Sequence, residues 1–294
     1  DKTEEMMAGR ILIADDMATN RIILKARLSA AAYQTQQVAT GAEALQQVRT
    51  SPPDVILVAQ DLPDIDGVAL CQRLRTSLAS LRTPIILMTS DRSRPARLAA
   101  LKAGADVILD RLPDDTMLRA RIRNLQRRRA AEQEFGDQFS RTDSFAFAEP
   151  GQAEFTMPGQ IALIAPSLSA GLKWRNGLGN KMRDRISVLD PEHALIELDN
   201  EAAPDAVVIA ENPAHPDHAM EVIADLRSRP ATLRTAIVVV QNTAEPARAI
   251  AALDLGVNDL VDDGFDPAEI SLLLRRELAR KAMNDSRREA LQNS

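Results

Sequence analysis

One cysteine in 294 residues, Cys71, excludes an internal disulfide, and three histidines without ligand spacing give no zinc-binding pattern. Aromatic residues are only 3% of the chain, which excludes the exposed ring platforms that bind bases or sugars by stacking. Basic residues are the minority, 36 against 42 acidic, and the net charge is −6. A chain of that sign lacks the concentrated Lys and Arg needed to neutralise phosphates, so no nucleic-acid partner is expected. No apolar run approaches 18 residues and no secretory leader is visible, so the expectation is a soluble, cytoplasmic protein with no membrane contact.

What the chain has is aliphatic. Hydrophobic residues make up 45%, enough for a packed core in each of about two ordinary domains. They fall in short continuous runs: Arg10-Ile-Leu-Ile-Ala14, Val55-Ile-Leu-Val-Ala59, Pro84-Ile-Ile-Leu-Met88 and Asp106-Val-Ile-Leu109. Runs without alternation are expected where both faces of a parallel sheet are covered by helices. The runs then recur. Pro53-Asp-Val-Ile-Leu-Val-Ala-Gln-Asp61 returns as Pro204-Asp-Ala-Val-Val-Ile-Ala-Glu-Asn212, 151 residues on. Thr83-Pro-Ile-Ile-Leu-Met-Thr-Ser90 returns as Thr235-Ala-Ile-Val-Val-Val-Gln-Asn242, and Gly104-Ala-Asp-Val-Ile-Leu-Asp110 as Gly256-Val-Asn-Asp-Leu-Val-Asp262, each 152 residues on. Three matches at one spacing identify a duplicated domain. The fold class expected is α/β: two tandem flavodoxin-like, doubly wound domains with five-stranded parallel sheets, whose sites form beyond the carboxyl ends of the strands.

Chemistry-bearing residues collect at those ends in the first copy. Asp15 and Asp16 follow the first run, Thr89 follows the third, and Arg111 closes the fourth. Two carboxylates, a hydroxyl and a cation at successive strand ends describe a site for Mg²⁺ and a phosphoryl group. The run between them ends in Ala59, and a methyl group takes no phosphoryl group. Asp61 is the nearest substitute carboxylate, two residues past the strand. The bland alternative is a duplicated fold that kept Asp15 and Asp16 by descent and binds nothing. In the second copy the first run, Ile161-Ala-Leu-Ile-Ala165, leads to Pro166-Ser167 with no acidic pair. Its corresponding positions are Ala210, Gln241 or Asn242, and Asp263, with Glu211 read as a solvated loop carboxylate. No phosphoryl chemistry assembles from those.

The segment 130–159 between the copies holds Phe135, Phe139, Phe145, Phe147 and Phe155, five of the six phenylalanines. One reading has these rings closing the ends of neighbouring cores; the other has a docked strap that couples the domains. The boundaries expected are 9–129 for the first domain, 130–159 for the linker, 160–283 for the second domain and 284–294 for the start of a helical stalk. Asp266-Pro-Ala-Glu269 opens the final helix as a capping box with Pro in its first turn.

The first copy resembles a two-component receiver domain, through Gly9-Arg-Ile-Leu-Ile-Ala-Asp-Asp16 and Leu62-Pro-Asp-Ile-Asp-Gly67. A receiver, a degenerate receiver and a departing helix together resemble the regulatory half of PleD-type response regulators. The resemblance implies metal-binding acids at Asp15 and Asp16, a phosphoacceptor position at Ala59 and a switch hydroxyl at Thr89. It places Arg111 where the family has a lysine, and Ile108 where it often has a switch aromatic. It implies Mg²⁺ held weakly at most, a sensor histidine kinase or phosphotransfer protein as partner, and a homodimer. Family members of this kind continue into a GGDEF domain that makes cyclic di-GMP, and the chain stops before that domain's motifs, so no enzyme activity is expected of it as given. The function expected is a regulatory and dimerisation module, unphosphorylated because of Ala59, whether that alanine is natural or introduced. The alternatives are a switch that accepts phosphate on Asp61 and a stand-alone interaction scaffold.

Overall fold

The computed structural model describes residues 8–77, 82–136, 158–200, 203–212, 214–241, 245–262 and 264–292. The chain divides into two compact units, Asp1–Ala130 and Ala131–Ser294. In the first unit the order is β1 (Arg10–Ala14), α1 (Ala18–Ser29), β2 (Gln34–Val38), α2 (Gly41–Thr50), β3 (Val55–Ala59), α3 (Gly67–Thr76), β4 (Ile85–Met88), α4 (Arg94–Lys102), β5 (Val107–Leu109) and α5 (Asp115–Gly136). The second repeats it as β6 (Gln160–Ile164), α6 (Leu168–Gly179), β7 (Arg185–Val188), α7 (Ala194–Asn200), β8 (Ala206–Ala210), α8 (His218–Ser228), β9 (Ala236–Val240), α9 (Pro246–Asp254), β10 (Asp259–Val261) and α10 (Pro267–Gln292). The strand orders are β2-β1-β3-β4-β5 and β10-β9-β8-β6-β7, all pairs parallel, so both units are doubly wound five-stranded sheets of one topology.

Strands β3 and β8 are buried along their whole length, which is why they read as unbroken apolar runs. The first sheet carries a core on each face. Ile11, Ile13 and Leu57 meet Leu24 and Leu28 of α1 and Leu118, Ile122 and Leu125 of α5. Leu12, Ile56 and Val58 meet Ala44, Val48, Leu70 and Leu74 of α2 and α3. Edge strands depart from the apolar pattern: β2 is Gln-Thr-Gln-Gln-Val and β7 is Arg-Ile-Ser-Val, neither with a fully buried residue. The opposite edge of the first sheet, β5, keeps the apolar run Val-Ile-Leu.

The duplication extends to polar braces that the repeat motifs do not include. Arg75 of α3 donates Nε to the Gly104 carbonyl at 2.9 Å and Nη1 to the Thr83 carbonyl at 2.7 Å, and its Nη2 pairs with Asp106. Arg227 of α8, 152 residues on, donates to the Gly256, Thr235 and Asn258 oxygens at 3.2, 2.9 and 3.2 Å. Gly104 and Gly256 have φ of +98° and +95°, left-handed turns that glycine adopts without steric cost. Each turn points its carbonyl at the guanidinium. A second brace pairs Arg129 of α5 with Asp54, and Lys281 of α10 with Asp205. The same two aspartates accept from the first amide of the leading strand, Arg10 N and Gln160 N, both at 2.8 Å.

Helix α5 continues to Gly136, past residue 129 where the composition shifts. Phe139, Phe145, Phe147 and Phe155 lie outside the described residues, as does the side chain of Phe135. In the second unit Asp266 caps α10 by accepting from Ala268 N at 2.9 Å. Phe265, just before it, stacks on Trp174 of α6 with centroids 4.1 Å apart and planes 5° from parallel.

Candidate functional site

Parallel pairing brings the ends of β1, β3, β4 and β5 of the first unit to one edge. Ala59 pairs in register with Met88, Asp15 N donates to the Val38 carbonyl, and Thr89 N donates to the Leu109 carbonyl. The residues singled out from sequence, Asp15, Asp16, Ala59, Thr89 and Arg111, therefore all stand at that edge.

Asp15 is fully buried. Its carboxylate accepts from Met17 N at 2.8 Å and from the Asn20 amide at 3.2 and 3.4 Å. Burial raises its pKa above the ordinary carboxylate value, opposed by those hydrogen bonds and by Arg111. Asp16 points the other way and is held by Arg111, Nη2 to Oδ1 at 2.9 Å. The other fork of Arg111, Nη1, reaches Asp61 Oδ2 at 3.2 Å. Arg21 of α1 donates to the carbonyls of Asp15 and Asp16 at 2.7 and 2.9 Å. Thr89 is buried and its hydroxyl accepts from Asp91 N at 3.0 Å. Ala59 is fully buried, and its methyl group closes the end of β3.

The β3–α3 loop is fixed by three of its own residues. Asp66 caps α3, accepting from Val68 N at 2.8 Å. Asp64 accepts from Gly41 N and Ala42 N, both at 2.8 Å, and so clamps the loop to the start of α2. Those amides hold its carboxyl below the ordinary range. Gly67 packs onto the strand end itself: a Cβ there would meet the Ala59 carbonyl at 2.4 Å and Gln60 Cα at 2.8 Å. The Leu62-Pro-Asp-Ile-Asp-Gly67 motif is thus a loop folded tightly against the end of β3. Beside it a cleft of about 520 Å³ runs between α3 and α4, with Leu87 and Ile108 on its walls and Asp61, Asp66 and Asp91 among its lining.

Asn20 and Arg21 are site-supporting residues that motif reading passes over, and the clamping role of Asp64 is not visible in its motif. Asn20 carried a signal, since it lies on the buried face of α1 with Leu24 and Leu28. In the second unit Ser167 caps α6 rather than replacing an acid, accepting from Ala170 N at 3.3 Å. Ala210 is buried, and Gln241 donates Nε2 to Glu211 at 3.3 Å, so Glu211 is a bonded, half-buried group and not the solvated carboxylate expected. Asn242 and Asp263 lie outside the described residues. Among the described residues no cluster of three or more His, Cys, Asp or Glu side chains is placed to hold a metal ion. Nor is any described helix long and apolar enough to cross a membrane.

Residues 11–123 match the model of the response regulator receiver domain, and this part of the chain is one. Over nearly its whole length the chain is similar to the receiver region of a PleD-like response regulator: it is 28% identical over 289 residues to the response regulator PleD of Caulobacter vibrioides, covering 98% of this chain and 63% of PleD. It is 33% identical over 150 residues to the response regulator MprA of Mycolicibacterium vanbaalenii, covering 51% of this chain and 64% of MprA. The chain thus spans a little under two thirds of either relative. Among solved structures, the receiver domain of a signal transduction histidine kinase from Syntrophus aciditrophicus is 30% identical, with 48% of this chain and all of that one covered, at a TM-score of 0.39. The receiver domain of sensor histidine kinase PA1611 from Pseudomonas aeruginosa, solved with a magnesium ion in its active-site cleft, is 28% identical over 40% of this chain and 95% of its own, at a TM-score of 0.37.

Proposed function

We propose that this chain is the regulatory and dimerisation module of a two-component response regulator that controls a diguanylate cyclase, and that its first receiver works without being phosphorylated. The carrying observation is Ala59, a buried methyl group at the end of β3 where an acyl phosphate would have to form. Asp61 is no substitute, because its carboxylate is 70% exposed beyond the strand end and engaged with Arg111. The second unit supports an adaptor role, since its first strand leads to Pro166-Ser167 in place of an acidic pair and its next strand ends offer Ala210 and Gln241.

In this reading the input surface receives a sensor histidine kinase or phosphotransfer protein in the cytoplasm, and α10 carries the output. Asp15 and Asp16 are the residues that would hold Mg²⁺, weakly, because Arg111 already pairs with one of them. A bound cation would supply charge neutralisation at the strand ends and nothing that Ala59 could use. The similarity to PleD over 98% of the chain supports cyclase control as the output.

Sedimentation velocity across a concentration series, with and without acetyl phosphate and Mg²⁺, tests the reading. A concentration-dependent dimer unaffected by the phosphodonor is expected. Monomer alone at high micromolar concentration, or a dimer that forms only after treatment, would count against it.

A further inference from the structure

We infer that the Arg111 guanidinium is the resident counter-ion of the first site, closing it across two loops and excluding the divalent cation that its acids would otherwise hold. This rests on the reading of residues 11–123 as a receiver domain without its acceptor, and adds how the remaining charges are managed.

Arg111 leaves the end of β5 and divides its fork between two elements. Nη2 takes Asp16 of the β1–α1 loop at 2.9 Å, and Nη1 takes Asp61 of the β3–α3 loop at 3.2 Å. A lysine at this position is a single compact charge and could not present two donors in a fixed plane. Neighbouring oxygens are engaged as well. The Asp15 carboxylate accepts from Met17 N and Asn20, while the Asp15 and Asp16 carbonyls accept from Arg21.

Magnesium requires near-ideal octahedral oxygen ligation and gives up its water reluctantly. Here the Asp15 carboxylate already faces N–H groups and Asp16 Oδ1 a guanidinium, so a cation competes with Arg111 for Asp16. The side chain of Arg111 is 29% exposed, which leaves it room to swing out, and the competition is between two cations for one carboxylate. With Ala59 contributing no third carboxylate, the built-in cation has the advantage of being tethered.

The arrangement makes a specific demand: removing the guanidinium should create metal affinity. Mn²⁺ is the probe, its free fraction followed by electron paramagnetic resonance with the full chain. Arg111→Ala and the longer, neutral Arg111→Gln are each compared with the unmodified chain. Circular dichroism checks the fold, and Gln serves if Ala does not fold. We expect Mn²⁺ affinity to rise about tenfold or more when the competing charge is removed, and the gain to vanish when Asp16→Asn is added. The melting temperature should follow: indifferent to Mg²⁺ in the unmodified chain, raised by it in the variant. A variant that binds Mn²⁺ no more tightly than the parent, or a gain that survives Asp16→Asn, overturns the proposal. Either result is independent of phosphodonor labelling, which tests the absence of an acceptor.

Discussion

Asn258 donates its side-chain amide to Glu277 at 2.7 Å, joining β10's leading turn to the middle of α10. The first unit solves the same position differently, with Asp106 pairing directly to Arg75 and buried Leu125 standing 152 residues before Glu277. In the second unit the arginine reaches an amide, and the negative charge has moved onto the helix, where Arg276 and Arg280 also meet it at 3.4 and 3.1 Å. Glu277→Leu alone should destabilise the second unit by about 1–3 kcal/mol, because it removes the acceptor of the half-buried Asn258 amide and the carboxylate that Arg276 and Arg280 meet. Adding Asn258→Asp rebuilds the first unit's pair around Arg227 and should recover at least half of that loss. Urea unfolding followed by Trp174 fluorescence reports the second unit alone, since Trp174 is the chain's one tryptophan. A double variant no more stable than the single one would mean that the two braces are not interchangeable.

Asp15 is fully buried, and burial raises its pKa. A carboxyl with a folded-state pKa above its unfolded value favours the fold below the unfolded pKa, and that contribution is lost as pH rises through the folded value. Asp15→Asn, which keeps an acceptor for Met17 N, should therefore stabilise the first unit at pH 7 by about 1 kcal/mol, several degrees in melting temperature. The advantage should shrink toward acid pH. Equal effects at both pH values would show that desolvation is not the dominant cost.

The Gly67 position admits no side chain, because the obstacles to a Cβ are the Ala59 carbonyl and the Gln60 backbone. Gly67→Ala should cost about 1–3 kcal/mol through displacement of the β3–α3 loop. Hydrogen exchange at the α2 start, where Asp64 bonds Gly41 and Ala42, should accelerate with it. Unchanged protection there would separate the clamp from the close approach.

Cys71 is fully buried on α3, and burial pushes its thiol up to about 12. The thiolate is the reactive form, so the folded chain should ignore an aromatic disulfide reagent at pH 8. One equivalent should react once urea unfolds the first unit, and rapid labelling of the folded chain would contradict the packing of α3.

The fold class, the duplication and the strand-end location were legible because inner parallel strands are apolar on both faces and the repeat spacing is nearly constant. Edge strands β2 and β7 were not legible as apolar runs, since one flank of each is open and their residues are largely polar. At the site, the residue types of Asp15, Asp16, Thr89 and Arg111 could be read, and so could the absence of an acceptor at Ala59. Which carboxylates Arg111 would hold could not, because that depends on loop positions 50 and 95 residues away. The braces of Arg75 and Arg227 escaped for a related reason: their partners are mostly backbone carbonyls, which leave no mark on side-chain identity.

The central claim is that the first receiver has no acceptor, and intact-mass spectrometry after acetyl phosphate and Mg²⁺ treatment tests it most directly. The unmodified chain should gain no hydroxylamine-sensitive phosphoryl adduct, whereas Ala59→Asp should be labelled at least in part, since Asp15, Asp16 and Thr89 stay in place. A stoichiometric, hydroxylamine-sensitive adduct on the unmodified chain would contradict the account, and its mapping to Asp61 would establish that carboxylate as the acceptor.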